Sequence, residues 1–192
     1  KVQATLVEKE SLAEYQGSDR VVSSREFWEI ESQKPCVEKT FNTGVPSLDH
    51  FIEGVETGEV WVVSGPTKHG KTLLCDTIGH NLARNGTNVL FFSFEVSPRK
   101  FLWKYQSYDM PIIFVPLNRK MSDLNWLERR VHEAKVKNDC RVVFIDHLHF
   151  IVDLVRLMRN SSLEIGQAMR FIKSEIAIKH NVAVFLVSHV TK

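Results

Sequence analysis

Eight consecutive residues, Gly65–Pro66–Thr67–Lys68–His69–Gly70–Lys71–Thr72, form the pattern Gly-x-x-x-x-Gly-Lys-Thr. Glycines at both ends let the backbone curl, so that successive N–H groups turn inward toward phosphate oxygens. A helix starting at the lysine adds the positive end of its dipole. Lys71 is then expected to reach the β- and γ-phosphates of a nucleotide, and the Thr72 hydroxyl to ligate Mg²⁺. Such a site needs a carboxylate on the metal side. Val142–Val143–Phe144–Ile145–Asp146 provides one directly after four apolar residues, a place where burying a charge is costly unless a cation answers it.

Hydrolysis also needs a group that orients water. Many ATPases carry Glu immediately after the strand-end Asp, but here that position is His147. Glu95, at the end of Val89–Leu90–Phe91–Phe92–Ser93–Phe94, is the alternative, on a strand expected beside the phosphate-loop strand. His189 follows Val184–Phe185–Leu186–Val187–Ser188 and is expected to sense the γ-phosphate. Lys71, Glu95, Asp146 and His189 thus point to one crevice outside the carboxyl ends of the strands. His147 and His149 read as lining or packing residues, because no further ligand stands at zinc spacing.

The elements behind these residues alternate in type. Strands are expected at Val60–Ser64, Asn88–Phe94, Ile112–Val115, Arg141–Asp146 and Val182–Val187. Helices are expected at Thr72–Ala83, after the Ser97–Pro98 start, at Asp123–Lys137 behind a Ser122 cap, and at Leu163–Lys179. This is an α/β fold: a mostly parallel sheet with helices on both faces. Residues 1–35 are polar and mixed in charge. They read as a linker or docking arm, with a short helix capped at Ser23–Ser24 that carries Phe27, Trp28 and Ile30. Residues 36–192 form the core. Lys1 in place of an initiator Met, and an end directly after an apolar run, are expected of a piece of a longer chain, truncated at its C-terminus.

The 192 residues carry 43% hydrophobic and 25% charged side chains with a net charge of +2, the usage of a folded globular chain and no argument by itself for nucleic acid. No apolar stretch is long enough to span a membrane, and no signal peptide leads the chain. The three cysteines are far apart and fit reduced thiols. The basic cluster Arg129, Arg130, Lys135 and Lys137 reads as the wet side of a helix.

Thr43–Gly44–Val45–Pro46–Ser47–Leu48–Asp49, Gly54, Gly58 and the phosphate loop, followed by Ser93–Phe94–Glu95, Ile145–Asp146–His147–Leu148 and Ser188–His189, together resemble the RecA-like core of DnaB/Twinkle-type (superfamily 4) hexameric replicative helicases. The likeness runs from residue 43 to the end. It implies a ring-forming motor that binds ATP or another nucleoside triphosphate with Mg²⁺, hydrolyses it and translocates on single-stranded DNA. It implies that Lys71 and Thr72 hold phosphate and Mg²⁺ and that Asp146 holds the metal through water. Glu95 would polarise the attacking water, and His189 would couple the γ-phosphate to DNA. Arg156, Arg159 and Asn160 lie where that family has a loop facing the ring channel, and would contact DNA. The family's arginine finger lies beyond the last strand present here, so slow turnover is expected of this chain alone. The implied setting is cytoplasm or nucleoid, an organelle matrix, or a phage-infected cell. Two alternatives share the motifs: a RecA/RadA/KaiC-like ATPase of recombination, repair or signalling, and a nucleotide-gated assembly module.

Overall fold

The computed structural model describes residues 13–17, 20–33, 40–103, 110–118, 123–155 and 161–189. The chain divides into two units, residues 1–37 and 38–192. In the first, helix α1 (Ser24–Ser32) begins as expected, with the Ser23 side chain accepting from the Glu26 N–H at 3.1 Å. None of its residues is buried, and Trp28 is 73% exposed.

The second unit opens with a small antiparallel pair, β1 (Thr40–Phe41) and β2 (Val55–Glu56), on either side of helix α2 (Pro46–Ile52). The main sheet follows. Its strands are β3 (Val60–Gly65), β4 (Val89–Ser93), β5 (Val142–Asp146) and β6 (Ala183–His189), all parallel, in the order β3-β6-β5-β4. Helices α3 (Lys71–Arg84), α4 (Pro98–Trp103), α5 (Leu124–Asn138), α6 (Leu148–Val155) and α7 (Ser161–Phe171) connect them, and α7 runs on into a π-helical segment, Ile172–Ile178.

Strand residues alternate strictly between two apolar layers, as burial on both faces requires. Leu90, Phe92, Val143, Ile145, Val184 and Leu186 pack with Leu127, Val131, Ile151, Ile172 and Ile176. Val89, Phe91, Val142, Phe144, Phe185 and Val187 pack with Cys75, Ile78 and Leu82 of α3. On that second face the sheet register aligns Phe91 with Phe144 and Phe144 with Phe185. Their rings stack with centroids 4.4 and 4.9 Å apart. Helix α3 lies directly on this aromatic ladder because position 79 is glycine. A Cβ there would meet Phe91 Cε2 at 2.6 Å and Phe144 Cε2 at 3.3 Å.

Three expectations change. Ile112–Val115 is not a full strand. It makes one parallel bridge, Phe114 to Leu90, with Phe91 N–H donating to Phe114 O at 2.8 Å and Phe114 N–H to Val89 O at 3.0 Å. The next rung would need an N–H from residue 116, which is proline. Helix α5 is capped by Asp123, whose side chain accepts from Trp126 N–H at 2.7 Å, and not by Ser122, which lies outside the described residues. The strand bearing Glu95 is not beside the phosphate-loop strand, because β6 and β5 stand between β4 and β3.

Gly79→Ala is a sharp test of the α3–sheet packing. In an exposed helix this change is stabilising by about 0.5–1 kcal/mol. Here it is expected to cost about 1–3 kcal/mol through overpacking, read as a lower midpoint in urea or thermal unfolding. An unchanged or raised midpoint would mean that α3 does not rest on the Phe91–Phe144 pair.

Candidate active site

Every side chain singled out for nucleotide chemistry, except those of the loop itself, stands at or just past the carboxyl end of a sheet strand. The loop leaves β3 at Gly65, turns through Lys68 and Gly70 with φ of 65° and 79°, and enters α3 at Lys71. The left-handed backbone at the helix entry is why glycine is needed at position 70. His69 Nδ1 lies 2.8 Å from Thr67 O within the loop. Lys71 is 7% exposed and folds over the loop, its Nζ donating to Pro66 O at 2.6 Å.

Asp146 ends β5 and is 2% exposed. Thr72 Oγ1 donates to its Oδ2 at 2.8 Å, which ties the first turn of α3 to the end of β5. Its other oxygen, Oδ1, is buried without a hydrogen-bond partner. Burial pushes the Asp146 carboxyl above the usual carboxylate range. The Thr72 bond opposes this, Glu95 and Asp76 add to it, and His189 opposes it. A buried, half-satisfied carboxylate beside a threonine hydroxyl is a donor set suited to a hard divalent cation.

Sheet register sets Gly65 opposite His189, so this histidine stands beside the first residue of the phosphate loop. Glu95 arrives by another route. After β4 the Phe94 N–H donates to Asp146 O at 2.9 Å, which carries the chain back across the end of β5. Glu95 Oε2 then lies 3.7 Å from His189 Nε2, although β5 stands between β4 and β6 in the sheet. Lys71, Thr72, Asp146, Glu95 and His189 therefore share one end of the sheet. Arg156, Arg159 and Asn160 lie outside the described residues.

His147 belongs to this group too, beyond the lining role read from the sequence. Its ring lies 4.4 Å from that of His189 and 4.9 Å from that of Phe150, centroid to centroid. Burial and the neighbouring His189 and His149 hold its pKa below the usual imidazole value. Its position next to the strand-end Asp was the available signal, but only the fold sets it against the end of β6.

Thr43–Asp49, quoted above for its family likeness, proves to be a brace. Asp49 Oδ1 accepts from the N–H and the hydroxyl of Thr43, both at 2.7 Å, and Oδ2 accepts from Gly44 N–H at 3.0 Å. Asn81 of α3 donates to Thr43 O at 3.2 Å and Gly44 O at 3.1 Å. The helix that carries Lys71 and Thr72 is thus held by the sheet on one side and by this loop on the other.

Residues 40–115 match the family described as the DnaB-like helicase C terminal domain. Among solved structures, the chain is similar to the ATPase domain of a DnaB-like helicase. The TM-score is 0.67 and the identity 18%, over 88% of this chain and 69% of that one, a likeness of fold.

Asp146→Asn is expected to separate stability from chemistry. With no bound cation the buried charge opposes folding. Because the folded-state pKa is raised, this carboxyl's effect on stability is most favourable below the ordinary carboxylate range and worsens as pH rises through the folded value. The amide, which still accepts from Thr72, should melt at or above the parent at neutral pH. It should also lose any stabilisation of bound nucleotide by Mg²⁺. A melting point well below the parent's would show that the ionised carboxylate holds the unliganded fold together.

Proposed function

We propose that this chain, a DnaB-type helicase core, is the ATP-hydrolysing motor domain of a ring helicase acting on single-stranded DNA. The observation that carries the reading is the convergence of Lys71, Thr72, Asp146, Glu95 and His189 at one end of the sheet, from the ends of three strands and the helix that follows the fourth.

In this reading the loop amides from Gly65 to Thr72 and the α3 dipole cradle the phosphates. Lys71 exchanges its 2.6 Å bond to Pro66 O for the β- and γ-phosphate oxygens. Thr72 and Asp146 hold Mg²⁺, which neutralises charge on the phosphates when bound. The Thr72 hydroxyl keeps its proton on Asp146 Oδ2 while its lone pair faces the metal. Glu95, half exposed, accepts a proton from the attacking water and orients it. His189 sits between Glu95 and the loop, where it feels whether the γ-phosphate is present. Arg156, Arg159 and Asn160 are proposed as DNA contacts. The DNA-binding unit is a ring of copies of this domain, a hexamer by likeness to the family. Among the described residues no helix is long and apolar enough to cross a membrane.

The roles are tested by two variants. Lys71→Ala should lose nucleotide binding, read with a fluorescent ATP analogue. Glu95→Gln should bind within a few-fold of the parent while its turnover falls by about 10²-fold or more. Equal loss of binding in both would overturn the division of labour. The helicase reading is tested by hydrolysis with and without a single-stranded oligonucleotide, alongside mass by light scattering. Turnover stimulated by DNA, and mass at a multiple of 22.1 kDa, support it. Turnover indifferent to DNA would favour the signalling or assembly alternatives.

A further inference from the structure

Glu95, His147 and His189 come from the ends of three adjacent strands, yet a carboxylate oxygen of Glu95 and one ring nitrogen from each histidine all lie within 4.8 Å of one another. The closest measured pair, Glu95 Oε2 and His189 Nε2, is 3.7 Å apart. Ligands about 2.0–2.1 Å from a tetrahedral Zn²⁺ stand roughly 3.3 Å from each other. That pair is therefore nearly in place, and Glu95, with 49% of its side chain exposed, has the freedom to close the rest. The two histidine rings meet edge to face at 78°, an arrangement that sends their nitrogens toward a common point without stacking them. His189 Nδ1 is buried and has no hydrogen-bond partner among the described residues. The His149 N–H reaches His147 Nδ1 at 3.2 Å. A ring binding metal through Nε2 carries its proton on Nδ1, so that long contact is given up for the metal bond.

We propose that Glu95, His147 and His189 bind a transition-metal ion of the Zn²⁺ class at a site separate from the Thr72–Asp146 position. Two imidazoles and one carboxylate select such an ion over Mg²⁺, which prefers an all-oxygen shell. Three protein ligands leave one position open for water or a phosphate oxygen. The ion takes up the carboxylate lone pair that a water-activating Glu95 would use. Zn²⁺ at this site is thus an inhibitor of hydrolysis that leaves phosphate binding by the loop in place. That inhibitory consequence rests on the role proposed for Glu95, whereas the metal site does not.

The test uses the untagged, chelator-treated chain titrated with Co²⁺ alone, in millimolar Mg²⁺, and then with Zn²⁺ in competition. Visible Co²⁺ absorption typical of four-coordination, at one ion per chain and displaced by Zn²⁺, is expected. His147→Gln and His189→Gln should each weaken it about 10-fold or more, while Lys71→Ala and Asp146→Asn leave it in place. Thermal melting checks that each variant is folded, and Glu95→Gln serves as a third ligand variant. No Co²⁺ signal would overturn the site. So would a signal that survives both histidine variants, or one lost in Asp146→Asn. Where the site is present, Zn²⁺ should lower ATP turnover in the parent and spare it in a folded His147→Gln chain. Binding without inhibition would uphold the metal site and sink instead the role of Glu95 as the water-activating base.

Discussion

The Asp146 carboxylate is the constraint around which this domain is arranged. It sits 2% exposed at the end of a strand whose four preceding residues are apolar and buried. Only the Thr72 hydroxyl answers one of its oxygens, and the other is left bare. Such a group raises the free energy of the unliganded fold and lowers that of a state holding a cation nearby. The Thr72 bond also fixes the start of α3 against the end of β5. The phosphate loop therefore cannot shift without disturbing the carboxylate, nor the carboxylate without disturbing the loop.

The surrounding structure keeps that contact in register. The Phe91–Phe144–Phe185 ladder offers α3 a flat, rigid seat, and Gly79 lets the helix approach it closely. On its far side, Asn81 is hydrogen-bonded to the Thr43–Gly44 loop that Asp49 clamps. A motif that marks the family is in this chain a structural brace for the helix that would meet phosphate.

Parallel pairing brings the remaining groups to the same edge. In a parallel sheet every strand's carboxyl end faces one way, so residues far apart in sequence gather there without loops built for the purpose. His189 lands opposite Gly65 through register alone. Glu95 needs the extra hydrogen bond from Phe94 to Asp146 to cross from the outer strand. The same convergence places His147 against His189, and so packs carboxylate and imidazole ligands around the place where a γ-phosphate would lie.

Much of this was legible in the residues. The phosphate loop, the strand-end Asp146 and the alternation of strands with helices follow from local rules: glycine where φ is positive, apolar runs where both faces are buried, and caps where helices start. What the sequence could not supply was strand order, because neighbours in a parallel sheet are chosen by packing and not by proximity in the chain. For that reason Glu95 was expected beside the loop strand, when it reaches its place from the far edge. For the same reason His147 read as a packing residue, when its ring faces that of His189. The loss of the Ile112–Val115 strand has a local cause, the missing N–H of Pro116, but that proline matters only once the register with β4 shows which rung it would have served. Local chemistry named the groups. Register and strand order, fixed by burial of both sheet faces, decided which of them meet.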